Sequence, residues 1–208
     1  MHEYVVSYHD RKKIYYIAAV ISGLLCGALI FLASTFNGLT GLAIAAPSGA
    51  AVFVLVFLIF DLWLWKASFL YDWGLVKIPN IEGDWLAEIV ADPGGQANSE
   101  KAPITAKLKI HQSYTRLVIR LNTEKSESVS QMASLVMVSP DCFKLRYEYL
   151  AAYRVNEHAV PLTHYGVTEL TLESSSSTFN AAYRARYYTE LARDSRGNIS
   201  ISRAPKNE

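Results

Sequence analysis

The chain has 208 residues, a formal net charge of +1 and a hydrophobic content of 51%. That length suits one ordinary domain, or a small domain with an appendage. Near-neutral charge argues against bulk binding of long nucleic acid, which needs a basic surface, but leaves room for a small anionic ligand held by a few residues. The charges are unevenly spread. Up to Trp73 there are four basic side chains (Arg11, Lys12, Lys13, Lys66) and four acidic ones (Glu3, Asp10, Asp61, Asp72), which leaves 16 basic and 15 acidic residues beyond it. The front is membrane-like and the back reads as a soluble, charge-balanced domain. Two cysteines, Cys26 and Cys142, are too few and too far apart for a metal site or a disulfide framework.

Residues 14–34, IYYIAAVISGLLCGALIFLAS, carry no charge over 21 residues, about the length that spans ~30 Å of hydrocarbon. A second apolar run covers about 42–65, with Pro47, Ser48 and Gly49 near its start, where proline is tolerated in a first helical turn. The second run and its length argue against a cleaved signal peptide. The joining segment TFNGLTG is short and uncharged. The pattern predicts a transmembrane hairpin, and the basic residues outside both runs place the N-terminus and the C-terminal part in the cytoplasm. Trp63, Trp65, Tyr71 and Trp73 then read as an interfacial belt. Asp61 falls near the end of the second run. It is either an interfacial residue or a polar group between helices or facing a pore.

After VKIPN the hydrophobic period becomes two. Eight strands are predicted, at 83–91, 104–112, 115–122, 128–138, 143–151, 165–172, 179–191 and 198–203. In the second, Ile104, Ala106, Leu108 and Ile110 alternate with Thr105, Lys107, Lys109 and His111. In the fifth, Phe143, Leu145, Tyr147 and Tyr149 alternate with Lys144, Arg146 and Glu148. Eight sequential strands with short connections fit an up-and-down antiparallel β-barrel, with a two-sheet sandwich as the other architecture. The opening IEGDW carries a Gly-x-Trp that resembles the first strand of lipocalin-like barrels, in which the Trp plugs one end. The predicted domains are therefore 1–74, an arm with two membrane helices, and 75–208, a cytoplasmic ligand-binding barrel.

No Gly-x-Ser-x-Gly, His-Glu-x-x-His, P-loop or dinucleotide fingerprint is present, and the five histidines are scattered. The chain is expected to be neither an enzyme nor a holder of a metal or cofactor. Tyrosine is concentrated instead: Tyr147 and Tyr149 in the fifth strand, Tyr183, Tyr187 and Tyr188 in the seventh, with Tyr153 and Tyr165 between. Inward tyrosines can stack on a base and hydrogen-bond through the hydroxyl. Tyrosine is also simply a favoured strand residue, but Leu, Val and Ile would fill a closed core without needing partners.

Taken with IEGDW at 81–85, YEY at 147–149, HYGVTELTL at 164–172 and ARYYTELARDSRGNISISR at 185–203, the plan resembles the membrane effectors of bacterial CBASS anti-phage defence. These are CD-NTase-associated proteins with a two-helix anchor and a barrel-type cyclic nucleotide receptor domain. Ala185 stands where that family's Gly-x-Tyr strand has glycine. The resemblance implies that the barrel binds a cyclic di- or oligonucleotide made by a CD-NTase. It further implies that the protein oligomerises and that its hairpins disrupt the inner membrane. The expected ligand contacts are Tyr147, Tyr149, Tyr183 and Tyr187 by stacking, Thr189 and His164 by hydrogen bonding, and Arg186 to a phosphate, with Asp61 serving the membrane lesion. A bulge in the seventh strand would turn Arg184 and Arg186 inward and Tyr187 out. The competing reading is a membrane-tethered, lipocalin-like barrel for a lipid or other apolar molecule, which a continuous aliphatic lining would favour. A structural scaffold would have no cavity.

Overall fold

The computed structural model describes residues 1–41, 43–92, 102–139, 142–153, 163–173, 183–190 and 196–204. It divides into two compact units, Met1–Tyr8 with Ile78–Glu208, and His9–Lys77. The N-terminal arm, grouped above with the helices, thus belongs with the C-terminal domain.

The His9–Lys77 unit contains α1 (Arg11–Thr40), α2 (Gly49–Leu62), a 3-10 turn (Leu64–Lys66) and the single-turn α3 (Ser68–Asp72). The Asp10 side chain caps α1 by accepting from the Lys12 N–H at 3.0 Å. Gly41 ends it, its N–H donating to the Asn37 carbonyl. The Asn37 side chain then pins the exit, accepting from Ile44 N at 2.8 Å and donating to Ile44 O at 3.1 Å.

α1 is the one helix among the described residues that is long and apolar enough to cross a membrane. The second span predicted over 42–65 is corrected to a shorter apolar helix, α2. Pro47 cannot continue a helix from its N-terminal side, and Ser48 caps the start of α2 through Ala51 N. The helix gives way to the 3-10 turn after Leu62. Its 14 residues reach about 21 Å, short of the ~30 Å hydrocarbon layer. The apolar run counted from sequence was longer than the helix it forms. The two-helix hairpin, the multi-pass inner-membrane topology and the membrane-disrupting mechanism built on them are therefore corrected. Asp61 lies buried in the last turn of α2, and the pore-lining role given to it depended on that mechanism.

In the other unit, β1 (His2–Val6), β2 (Gly83–Asp92), β3 (Ile104–Gln112), β4 (Arg116–Asn122), β5 (Ser126–Ser139), β6 (Cys142–Tyr153), β7 (Thr163–Glu173), β8 (Tyr183–Thr189) and β9 (Arg196–Arg203) form one sheet closed on itself. The order is β1-β4-β3-β2-β9-β8-β7-β6-β5. The eight-stranded, all-antiparallel, lipocalin-like up-and-down barrel expected from sequence is corrected to a mixed sheet of nine strands.

The ninth strand is β1, antiparallel to β4 and parallel to β5. β4 and β5 pair directly only from Arg120↔Val129 to Asn122↔Glu127. They then diverge, and β1 occupies the fork. Ser130 sits at the branch point, where its Oγ accepts from Ile119 N at 2.9 Å and lies 2.7 Å from His2 Nε2. A β-bulge between Ser130 and Met132 follows at once and adds the bend that lets β5 leave β4. Tyr4 is buried, donating to Ser113 O and accepting from Gln112 Nε2, both at 3.3 Å. The same Gln112 ties down the incoming chain through Pro79 O and Ile81 N.

Side chains alternate about the sheet as its period requires. Ala106, Leu108 and Ile110 of β3, Phe143, Leu145 and Tyr147 of β6, Leu170 and Leu172 of β7, and Ile199 and Ile201 of β9 are buried. One end is filled by Trp85, whose indole N–H donates to Ile81 O at 3.2 Å. The Trp85 ring packs against Tyr183 at 5.5 Å and lies under the Arg203 guanidinium at 5.2 Å.

Candidate ligand-binding cavity

The other end of the closed sheet is open. A cavity of about 670 Å³ lies there, within the size range of small-molecule sites. Its lining falls into three sectors. β6, β7 and β8 supply Tyr147, Tyr149, Tyr153, His164, Thr168, Tyr187 and Thr189. β2, β3, β4 and β9 supply an aliphatic sector of Ile89, Ile104, Leu121 and Ile199. The β4–β5 connection and the start of β5 supply Thr123, Glu124, Lys125, Ser126 and Ser128.

The tyrosines are held by their cross-strand neighbours. Tyr147 faces Thr168 across β6 and β7. Burial pushes its hydroxyl up to about 12, opposed by the hydrogen bond to Thr168, so this phenol stays neutral and polar at the cavity floor. Tyr149 is paired with Gly166, and Tyr187 with Gly197. A Cβ on Gly166 would overlap the hydroxyl end of the Tyr149 ring, and one on Gly197 would lie 2.6 Å from Tyr187 Cε1. Each ring therefore lies over a bare stretch of backbone, which is what a strand glycine permits. The His164 ring meets Tyr149 edge-on at 6.4 Å and Tyr153 at 6.1 Å.

Of the residues expected from sequence, Tyr147, Tyr149, His164, Tyr187 and Thr189 come together at this cavity. Tyr183 also points inward, but at the closed end against Trp85. Arg186 lies on the outer face, exposed and opposite Glu169, so it cannot meet a phosphate inside. β8 runs without a bulge against both neighbours, which keeps Arg184 and Arg186 out and Tyr187 in. On that outer face Glu169 accepts from Lys144 at 2.7 Å and from Arg146 at 2.6 Å. The Lys144 hydrogen bond, opposed by burial and reinforced by Arg146, holds the carboxyl below its ordinary range.

Sequence reasoning missed Tyr153, Thr168, Lys125 and the serines of β5 as lining residues, and the two glycines as supports. Tyr153 and Thr168 were accessible to it: Tyr153 continues the parity of Tyr147 and Tyr149, and Thr168 that of Leu170 and Leu172. Among the described residues no group of His, Cys, Asp and Glu could hold a metal.

Residues 76–203 match the family model described as Cap15, cyclic dinucleotide receptor domain. CD-NTase-associated protein 15 of Yersinia aleksiciae is 28% identical over 205 residues, covering 90% of this chain and 94% of that protein. The matched family is one of receptors, not of catalysts.

Proposed function

The chain belongs to the Cap15 cyclic dinucleotide receptor domain family, and from that membership we propose that the cavity of the closed sheet binds a cyclic dinucleotide supplied by a CD-NTase. The observation that carries the reading is the make-up of the lining. Tyr147, Tyr149, Tyr153 and Tyr187 offer aromatic faces and hydroxyl tips, and Thr168, Thr189 and Ser128 add neutral hydroxyl groups. Purine or pyrimidine rings stack on such faces. An apolar ligand would make little use of so many polar tips in the lining, so the tethered lipid-binder is the weaker alternative.

In this reading the protein is the signal-reading component of a CBASS-type defence. Two finer partners go with it. The exposed apolar side chains of α1 meet lipid, and ligand binding promotes self-association to the extent that the associated form binds it more tightly.

The test is calorimetric titration of the full chain in detergent with cyclic di-AMP, cyclic di-GMP, cyclic di-UMP and cyclic UMP–AMP, with a fatty acid as the opposing arm. The full chain is required because residues 1–8 belong to the same unit as the cavity. Saturable binding of one dinucleotide, kept in Arg186→Ala and lost in Tyr187→Ala, supports the assignment. Binding of the fatty acid alone overturns it.

A further inference from the structure

The cavity is poorly matched in charge to its proposed ligand. A cyclic dinucleotide carries two phosphodiester anions. Among the described lining residues the fixed charges are Lys125 and Glu124, neighbours at the tip of the β4–β5 connection. Lys125 has no ion-pair partner among the described residues.

Its position is fixed by the turn beneath it. Thr123 N donates to Ser126 O at 2.9 Å, and Ser126 N donates to Thr123 Oγ1 at 2.9 Å. Thr123 Oγ1 donates to Ser126 O at 3.1 Å and lies 2.9 Å from Ser126 Oγ. The hydroxyl protons of Thr123 and Ser126 are thus engaged within the turn. Ser128, next inward on the same face of β5, has no intramolecular partner among the described residues and keeps its O–H to donate. A lysine ammonium and a serine hydroxyl beside the tyrosines of the neighbouring strand β6, where Ser128 lies between the partners of Tyr153 and Tyr149, suit an anion that carries a base.

We propose that Lys125 and Ser128 form a single phosphodiester subsite. One phosphate of the cyclic dinucleotide docks there, the bases turn to the tyrosine sector, and the second phosphate stays at the solvated mouth. The inference rests on the receptor reading and adds the orientation of the ligand within it. Glu124, beside Lys125, opposes the same phosphate and limits affinity.

The same titration is run on full-chain wild type, Lys125→Ala, Lys125→Glu, Ser128→Ala and Glu124→Gln, each at two salt concentrations. Loss of one charge-assisted contact weakens binding about tenfold. Lys125→Glu weakens it further, and Glu124→Gln tightens it by about two- to fivefold as repulsion is removed. The Lys125→Ala loss is the same for every dinucleotide that binds, since the phosphodiester is common to all. Its salt dependence is shallower than that of wild type. Lys125 is an exposed turn-tip residue, so the melting temperature of its variants stays at the wild-type value, which separates lost contact from lost fold. Wild type that binds while Lys125→Glu binds equally well overturns the subsite alone. Wild type that binds no dinucleotide overturns the receptor reading, and the subsite with it.

Discussion

Gly166→Ala is the smallest change that tests how the cavity is built. The added methyl group would overlap the hydroxyl end of the Tyr149 ring and approach the Tyr188 carbonyl oxygen to 2.8 Å. The carbonyl belongs to the β7–β8 ladder and cannot retreat without loss of pairing, so the ring must move, and the open space available to it is the cavity. Inserting a methyl group into a packed site costs about 1–3 kcal/mol, and replacing a strand glycine by alanine returns about 0.5–1 kcal/mol. The net loss is about 1 kcal/mol, or about 2–4 °C in melting temperature for a chain of this size. Affinity for the dinucleotide falls more than stability does, because the displaced ring occupies ligand space. Thermal melts and titrations of Gly166→Ala, Tyr149→Ala and the double variant form the cycle. A coupling of at least about 0.5 kcal/mol is expected for groups in contact. Additive effects, or an unchanged affinity in Gly166→Ala, would refute the idea that this glycine sets the position of Tyr149.

Tyr147 gives a pH prediction. Its hydroxyl is raised to about 12 by burial, so the folded state holds the proton more tightly than the unfolded chain does. That contribution is fully present below the unfolded value of about 10 and is lost as pH rises from there to about 12. Wild type should therefore lose stability across that window more steeply than Tyr147→Phe, read as melting temperature against pH; parallel curves would contradict the burial. Tyr4→Ala removes a large buried side chain from β1, at a cost of about 3–5 kcal/mol. Tyr4→Phe, which loses the hydroxyl bonds to Gln112 and Ser113, costs about 1 kcal/mol. Denaturant titration measures both, and equal small losses would mean that β1 contributes little to the closed sheet.

How much of this was legible from sequence can be traced residue by residue. The alternation in 104–112 and 143–151 put the right side chains inward, because a strand buried on one face has a period of two and a slip of one residue would bury Lys107 or Arg146. The strand starts of β2 and β3 also stood where the pattern put them. β1 was not legible. Its five residues, HEYVV, are too short for a periodic signal, and their partners Arg116 and Ala133 lie more than a hundred positions away. The second apolar run misled for a different reason. Hydropathy does not see where a helix begins: Pro47 reads as part of the first turn of a run that opens at about 42, whereas Ser48 caps a helix that starts only at Gly49. In the cavity, stacking tyrosines were found by their chemistry, but Gly166 and Gly197 were passed over because the property that matters there is a missing side chain.

The missed strand bears on the site itself. β4 and β5 form the hairpin whose tip carries Lys125, and they pair for only three registers before they part. The bulge after Ser130 turns β5 away, and without a further strand the facing edges of β4 and β5 beyond it would be left unpaired. β1 takes the hydrogen-bonding edge of β4 at Leu117 and Arg116 and that of β5 at Ala133–Leu135. His2 and Ile119 meet at Ser130 Oγ from the two sides of the fork. Ser130 is buried one step along the same face from Ser128. β1 thus pairs both strands just beyond the hairpin that carries Ser126 and Ser128 to the cavity. A C-terminal fragment lacking residues 1–8 would keep every cavity-lining side chain and lose the strand that fills the fork.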